Sequence, residues 1–195
     1  MAGALGASYS LWLEPPPGTL RERLRKEVAA QAAARDGPLF EPHVTLLGDV
    51  AMAEAQLLET AAALAKRIQP FRVNLDDVAC GPSFHQCVYI LASKEPPLLA
   101  ANADARAAFG KPEPPAPYMP HLSLLYSDAS DPDRRDAAAA AVARLWGEAA
   151  GYDTLLPDAG FTAASLSLWL TPAEDRSLAS WRRVAEFPLG GGGGE

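Results

Sequence analysis

Short alternating runs of apolar and polar residues, separated by helical spacings, divide most of the chain into strands and helices. "SYSLWLEPPP" (8–17) reads as a strand stopped by prolines. Residues 19–35 carry Leu20, Leu24 and Val28 at i, i+4 spacing, which predicts a helix ended by "DGP". "PHVTLLG" then reads as a strand, and 53–69 as a helix that stops at Pro70. Residues 71–80 and 86–93 predict a hairpin around "GPSFH". A helix over 96–110 ends at a glycine, and the proline-rich "KPEPPAPYMP" (111–120) runs extended into another strand. Residues 131–150 predict a helix capped by Asp131 with Pro132 at its first position. Strands are expected over 161–171 and 181–189, and the glycine tail 190–195 has nothing to pack and is expected to be disordered.

The order is therefore β-α-β-α-β-β followed by α-β-α-β-β, two half-chains of similar content with no sharp linker between them. This predicts an α+β fold in which residues 1–189 form a single bilobal domain. Two pseudo-symmetric, mainly antiparallel sheets would carry outer helices and enclose a central cleft.

Each half contains one phrase in common. "EPHVTLLGD" (41–49) and "MPHLSLLYSD" (119–128) both read Pro-His-apolar-[Thr/Ser]-Leu-Leu, in a chain with only three histidines. A lone His-x-Thr strand is most simply a core or edge histidine, but the duplication reverses that reading. Strand alternation puts His43 and Thr45 on one face and Val44 and Leu46 on the other. In the second copy His121 and Ser123 share a face, opposite Leu122 and Leu124. Each strand thus presents an imidazole beside a hydroxyl, with an apolar back to bury. That pair is a poor metal chelate and a good grip on phosphate oxygens. Brought together across a pseudo-twofold axis, two imidazoles would flank one phosphate. A cyclic phosphodiester is hydrolysed when a base takes a proton from water and an acid protonates the departing sugar oxygen. Histidine suits both roles, one ring neutral and its partner charged. No metal or other cofactor is demanded, because two hydroxyls and an imidazolium can stabilise the charge on phosphorus.

Charge narrows the partner. The formal net charge is −7, which opposes binding to long nucleic acids through many phosphates but not to a small phosphate ligand. Cys80 and Cys87 cannot build a disulfide framework or a structural zinc site. The N-terminus lacks a basic leader, and no apolar run reaches the roughly 18–20 residues that span a bilayer. A cytoplasmic monomer with reduced thiols and no membrane partner is expected.

The motifs "PHVTLLG" and "PYMPHLSLLYSD" resemble the two signatures of the 2H phosphoesterase superfamily, and "YSLWLEP" and "GPSFHQCVYIL" are like segments of its plant-type cyclic phosphodiesterases. The likeness runs from about residue 8 to 187. It implies a bilobal fold with the site between the lobes. It also implies hydrolysis of ADP-ribose 1″,2″-cyclic phosphate to ADP-ribose 1″-phosphate, and of nucleoside 2′,3′-cyclic phosphates to 2′-phosphates. Carried over by position, His43 and His121 are the catalytic pair, and Thr45 and Ser123 hold the phosphate oxygens. Tyr126 matches an aromatic hydroxyl after the second signature, although strict alternation puts it on the wrong face unless the strand bends or ends there. Trp12 and Phe84 match apolar positions that either stack on a base or ribose or simply pack in the core. Serine in the second motif keeps the hydroxyl and loses only a methyl.

The remaining candidates have plainer readings. His85 is expected to be a surface turn residue rather than a substrate contact. Cys80 and Cys87 bracket that turn and could face one another. Arg21, Arg23, Arg25 and Lys26 read as the solvated face of the first helix, and Arg134, Arg135, Arg182 and Arg183 likewise. Two other functions compete with the cyclic phosphodiesterase: a module that binds phosphate ends without turnover, which the complete set of four motif side chains disfavours, and an enzyme acting on RNA 2′,3′-cyclic ends or 2′–5′ linkages, which the acidic balance disfavours.

Overall fold

The computed structural model describes residues 8–111, 117–146 and 159–190. The glycine tail beyond Gly190 and the end of the helix expected over 131–150 lie outside these.

The chain runs β1 (Tyr9–Leu13), α1 (Thr19–Arg35), β2 (Val44–Val50), α2 (Glu54–Arg67), β3 (Phe71–Cys80), β4 (Val88–Ala92), α3 (Pro96–Ala108), β5 (His121–Leu125), α4 (Asp131–Trp146), β6 (Gly160–Ala163), β7 (Ser165–Leu170) and β8 (Arg182–Pro188). A short 3-10 turn, Phe84–Gln86, sits between β3 and β4. Helix α1 keeps its predicted limits and ends at Asp36, whose left-handed backbone stops the helix. Two prolines at the start of α3 preset its first turn.

The strands form a continuous sheet in the order β6-β3-β4-β5-β2-β1-β7-β8, antiparallel at every pairing. It divides naturally into two four-stranded halves, β2-β1-β7-β8 and β5-β4-β3-β6. They meet where β2 pairs with β5 through Val44 and Leu122. Helices α2 and α3 pack on the first half and α1 and α4 on the second. Val44, Leu46, Leu122 and Leu124, the apolar backs of the two histidine strands, are fully buried and belong to one core that runs through both halves.

The lobes do not coincide with the chain's halves, and here the sequence reading is corrected. Strand β3 crosses into the second lobe, whereas β7 and β8 return to complete the first beside β1. The single strand expected over 161–171 is two strands broken at Ala164, with β6 pairing to β3 and β7 to β1. The buried apolar positions change phase at the break, from Phe161 and Ala163 to Leu166 and Leu168, a shift that the expected single strand passed over. Gly160 opens β6 at a point where a Cβ would lie 2.3 Å from the Val73 carbonyl oxygen. Cys80 is exposed and Cys87 buried, and both are free thiols. Among the described residues no helix is long and apolar enough to cross a membrane.

Leu122 lies at the lobe junction and is fully buried. Leu122→Ala is expected to cost about 2–5 kcal/mol through lost burial and the cavity left behind, read from urea denaturation midpoints. A loss below about 1 kcal/mol would show that this junction does not carry the fold.

Candidate active site

The single registered pair Val44–Leu122 decides the site. In an antiparallel ladder the neighbours of a registered pair face each other in reverse order, so His43 lies across from Ser123 and Thr45 across from His121. The two motifs are therefore interlaced, each imidazole beside the other motif's hydroxyl. The outer strands repeat the arrangement, since Trp12 on β1 is registered with Thr45 and Tyr89 on β4 with Ser123. All four motif residues line one cavity of about 270 Å³, together with Ser10, Trp12, Thr171 and Trp181.

Both rings are held in the same way. His43 Nδ1 lies 2.7 Å from the carbonyl oxygen of Glu41, and His121 Nδ1 lies 2.9 Å from that of Met119. A carbonyl only accepts, so Nδ1 carries the proton in each neutral ring and Nε2 is left with a lone pair. In both motifs the acceptor is two residues upstream of the histidine, across the proline, so the local chain sets the tautomer.

Their surroundings differ. His43 is buried and stacks on Trp12 with ring centroids 3.5 Å apart and planes 6° from parallel. Burial, reinforced by the charge His121 can carry, pushes the His43 pKa down to about 3. His121 is less enclosed, near Tyr89 at 5.0 Å, and burial also lowers its pKa. As the chain is acidified, His121 takes the first proton of the pair and His43 resists the second.

A charged network fixes the His43 side. Trp12 also stacks on Trp169 at 4.3 Å, and the Trp169 indole donates to Glu14 Oε1 at 3.0 Å. Glu14 is buried and takes hydrogen bonds from Arg21 at 3.0 Å and Arg183 at 2.6 Å. Arg21 reaches on to Glu41, whose carboxylate is also gripped by Arg25 at 2.7–3.0 Å. The residue whose carbonyl orients His43 is thus clamped by two guanidiniums. Arg21 is withdrawn from the solvated face that the helix pattern predicted, whereas Arg25 and Arg183 stay exposed as expected and still reach carboxylates. Their carboxylate partners come from distant parts of the chain, and that pairing is invisible to local spacing.

The other expected site residues are placed as follows. Tyr126 lines the cavity because β5 ends at Leu125 and alternation no longer applies. It is buried, stacks on Phe40 at 4.0 Å and shares a hydrogen bond with Ser123, and burial raises its pKa. Trp12 spends its ring on His43 and Trp169, so it fixes the imidazole rather than offering a platform for a base. Phe84 stands behind the wall, against Tyr126 at 6.1 Å and under the Arg176 guanidinium at 4.9 Å. His85 is corrected from a surface turn residue to part of the cavity wall, and its carbonyl accepts from the Ser123 hydroxyl at 3.2 Å. Ser10 and Thr171, hydrogen-bonded at 2.7 Å, and Trp181 also line the cavity and carried no motif that could have marked them. Among the described residues no group of three His, Cys, Asp or Glu side chains is placed to hold a metal ion.

Interlaced His-x-[Thr/Ser] strands at the junction of the two half-sheets thus bring two imidazoles and two hydroxyls to one cavity. A family model of the 2′-5′ RNA ligase superfamily matches residues 13–175, and the chain belongs to that superfamily, the 2H phosphoesterases. The chain is 28% identical over 177 residues to a protein named cyclic phosphodiesterase from Arabidopsis thaliana, covering 91% of this chain and 92% of that one. Its fold is similar to that of E. coli LigT complexed with 3′-AMP, with a TM-score of 0.60 at 16% identity over 94% of this chain and 98% of that one. It is similar too to a Thermus thermophilus protein, TT0787, with a TM-score of 0.57 at 18% identity over 95% and 100% of the two chains.

The depressed pKa of His43 has a consequence for stability. Unfolded, this ring binds a proton below about pH 6.5, whereas folded it does so only near pH 3. The native state is therefore destabilised relative to the unfolded chain as pH falls below 6.5. His43→Gln is expected to shrink the loss of stability between pH 7 and pH 5 by about 2 kcal/mol. Urea midpoints at the two pH values measure it, and an unaltered difference would mean that His43 titrates normally.

Proposed function

We propose that the protein hydrolyses cyclic phosphodiesters on ribose. The substrates are ADP-ribose 1″,2″-cyclic phosphate, opened to the 1″-phosphate, and nucleoside 2′,3′-cyclic phosphates, opened to 2′-phosphates. The observation that carries this reading is the interlaced pair of histidine strands, with both Nδ1 atoms committed to backbone carbonyls and both rings bordering one cavity. The identity shared with the Arabidopsis cyclic phosphodiesterase supports it.

His43, the ring held neutral, takes a proton from water at Nε2 as the water oxygen attacks phosphorus. The P–O bond on the opposite side breaks, and His121 gives its Nε2 proton to the departing sugar oxygen. Thr45 and Ser123 donate to the non-bridging oxygens as charge builds on them. Ser123 must first leave the His85 carbonyl, so phosphate binding exchanges one acceptor for a stronger, charged one. The net charge of −7 suits a small substrate inside the cell better than a long RNA.

His43→Ala and His121→Ala are each expected to lower kcat by about 10²–10⁴-fold on both substrates, with chelator present and the fold retained. Near-normal turnover by either folded variant would exclude the acid–base pair. The two pKa shifts also set the pH dependence. Activity of the free enzyme needs His43 neutral and His121 charged, so kcat/KM should peak on the acidic side of pH 6.5 and fall as pH rises through the lowered pKa of His121. A kcat/KM that climbs from pH 6 to 8 would contradict this assignment.

A further inference from the structure

Beside the catalytic cavity lies a second, larger groove of about 520 Å³, bordered by β2, α3 and the chain entering β5. The two spaces share Thr45, Gln86 and His121 as common walls, so a ligand held between the histidines can extend from one into the other. Two polar groups of the groove are engaged by backbone of β2. The Asn102 amide donates to the Leu46 carbonyl at 2.7 Å, and the Tyr118 hydroxyl donates to the Thr45 carbonyl at 2.7 Å. Arg106, in the last turn of α3, lines the groove with a buried Nε that has no hydrogen-bond partner among the described residues.

Arg21, Arg25, Arg144, Arg176 and Arg183 each meet a carboxylate. Arg106 meets none among the described residues. A guanidinium nitrogen withdrawn from water without an acceptor is costly, and an anionic ligand removes that cost. Of the common anions, phosphate best matches its planar fork of donors. Asp49, which borders the catalytic cavity and would repel an anion, is paired with Lys111 at 3.7 Å.

We propose that Arg106 binds a phosphate or pyrophosphate carried on the 5-carbon of the same ribose whose cyclic diester lies between His43 and His121. The inference rests on the ribose cyclic phosphodiesterase reading and sharpens it. Arg106 then selects 5-phosphorylated ribose cyclic phosphates, among them the pyrophosphate-bearing ADP-ribose species, over bare nucleosides.

A matched pair tests it: adenosine 2′,3′-cyclic phosphate and the same nucleotide carrying a 5′-diphosphate. The wild-type enzyme should show a KM about tenfold or more lower for the 5′-phosphorylated member, the gain of a charge-assisted contact. In Arg106→Gln that preference should collapse toward unity, and Arg106→Lys should restore part of it, with thermal midpoints confirming that both variants fold. Calorimetric binding of the same two ligands to His121→Ala and to the His121→Ala, Arg106→Gln double variant reads the preference without turnover. A failure of hydrolysis is thereby separated from a failure of this inference. No preference in the wild type, or a preference that survives Arg106→Gln, overturns the assignment.

Discussion

The site depends on a short stretch of ladder, the pairing of Val44 with Leu122 where the two half-sheets meet. Their side chains, with Leu46 and Leu124, are buried in the shared core, and that burial locks the register. A slip of one residue would turn the buried leucines outward and the histidines inward, at a cost of several side chains' worth of apolar burial, each about 1.5–3 kcal/mol. The hydrophobic back of each strand therefore holds the chemistry on its front. In the observed register His43 faces Ser123 and Thr45 faces His121, while both apolar rows are buried.

Symmetry provides the pair, and departures from symmetry give its members different roles. Both rings hang from a carbonyl two residues upstream, which leaves the same nitrogen of each toward the cavity. On one side the ring is stacked on Trp12 and supported by Glu14, Arg21, Glu41 and Arg25. On the other it is more open, with Tyr89 alongside. The closed side disfavours a charged imidazolium and the open side accepts the proton first, the difference on which the proposed base and acid roles rest. Removing one member of a buried ion network leaves an uncompensated charge, so the network keeps the His43 side stiff.

Much of this was legible in the sequence, for identifiable reasons. The repeated Pro-His-x-[Thr/Ser]-Leu-Leu phrase has strand periodicity, and periodicity alone placed imidazole and hydroxyl on a common face. Helix α1 was readable from its spacing and its stop. The break at Ala164 was not, since the small residues Ala163, Ala164 and Ser165 carry the chain across it with no glycine or proline to mark a turn. Tyr126 could not be placed by alternation, because the end of β5 is set by what the chain does next. His85, Ser10, Thr171 and Trp181 reach the cavity through tertiary folding from segments without motifs. The roles of Arg21, Arg25 and Arg183 were hidden for the same reason: a charge pattern shows where cations stand along an element and not which carboxylates return to meet them.

The central claim is that two imidazoles from different lobes converge on one phosphorus atom. It is tested most directly by following the ring nitrogens of 15N-labelled protein by NMR during titration with inorganic phosphate. The account predicts that the Nε2 signals of His43 and His121 move together along one saturating curve, while both Nδ1 atoms keep their protons. Movement of a single ring, or two curves with different affinities, would show that the histidines serve separate sites.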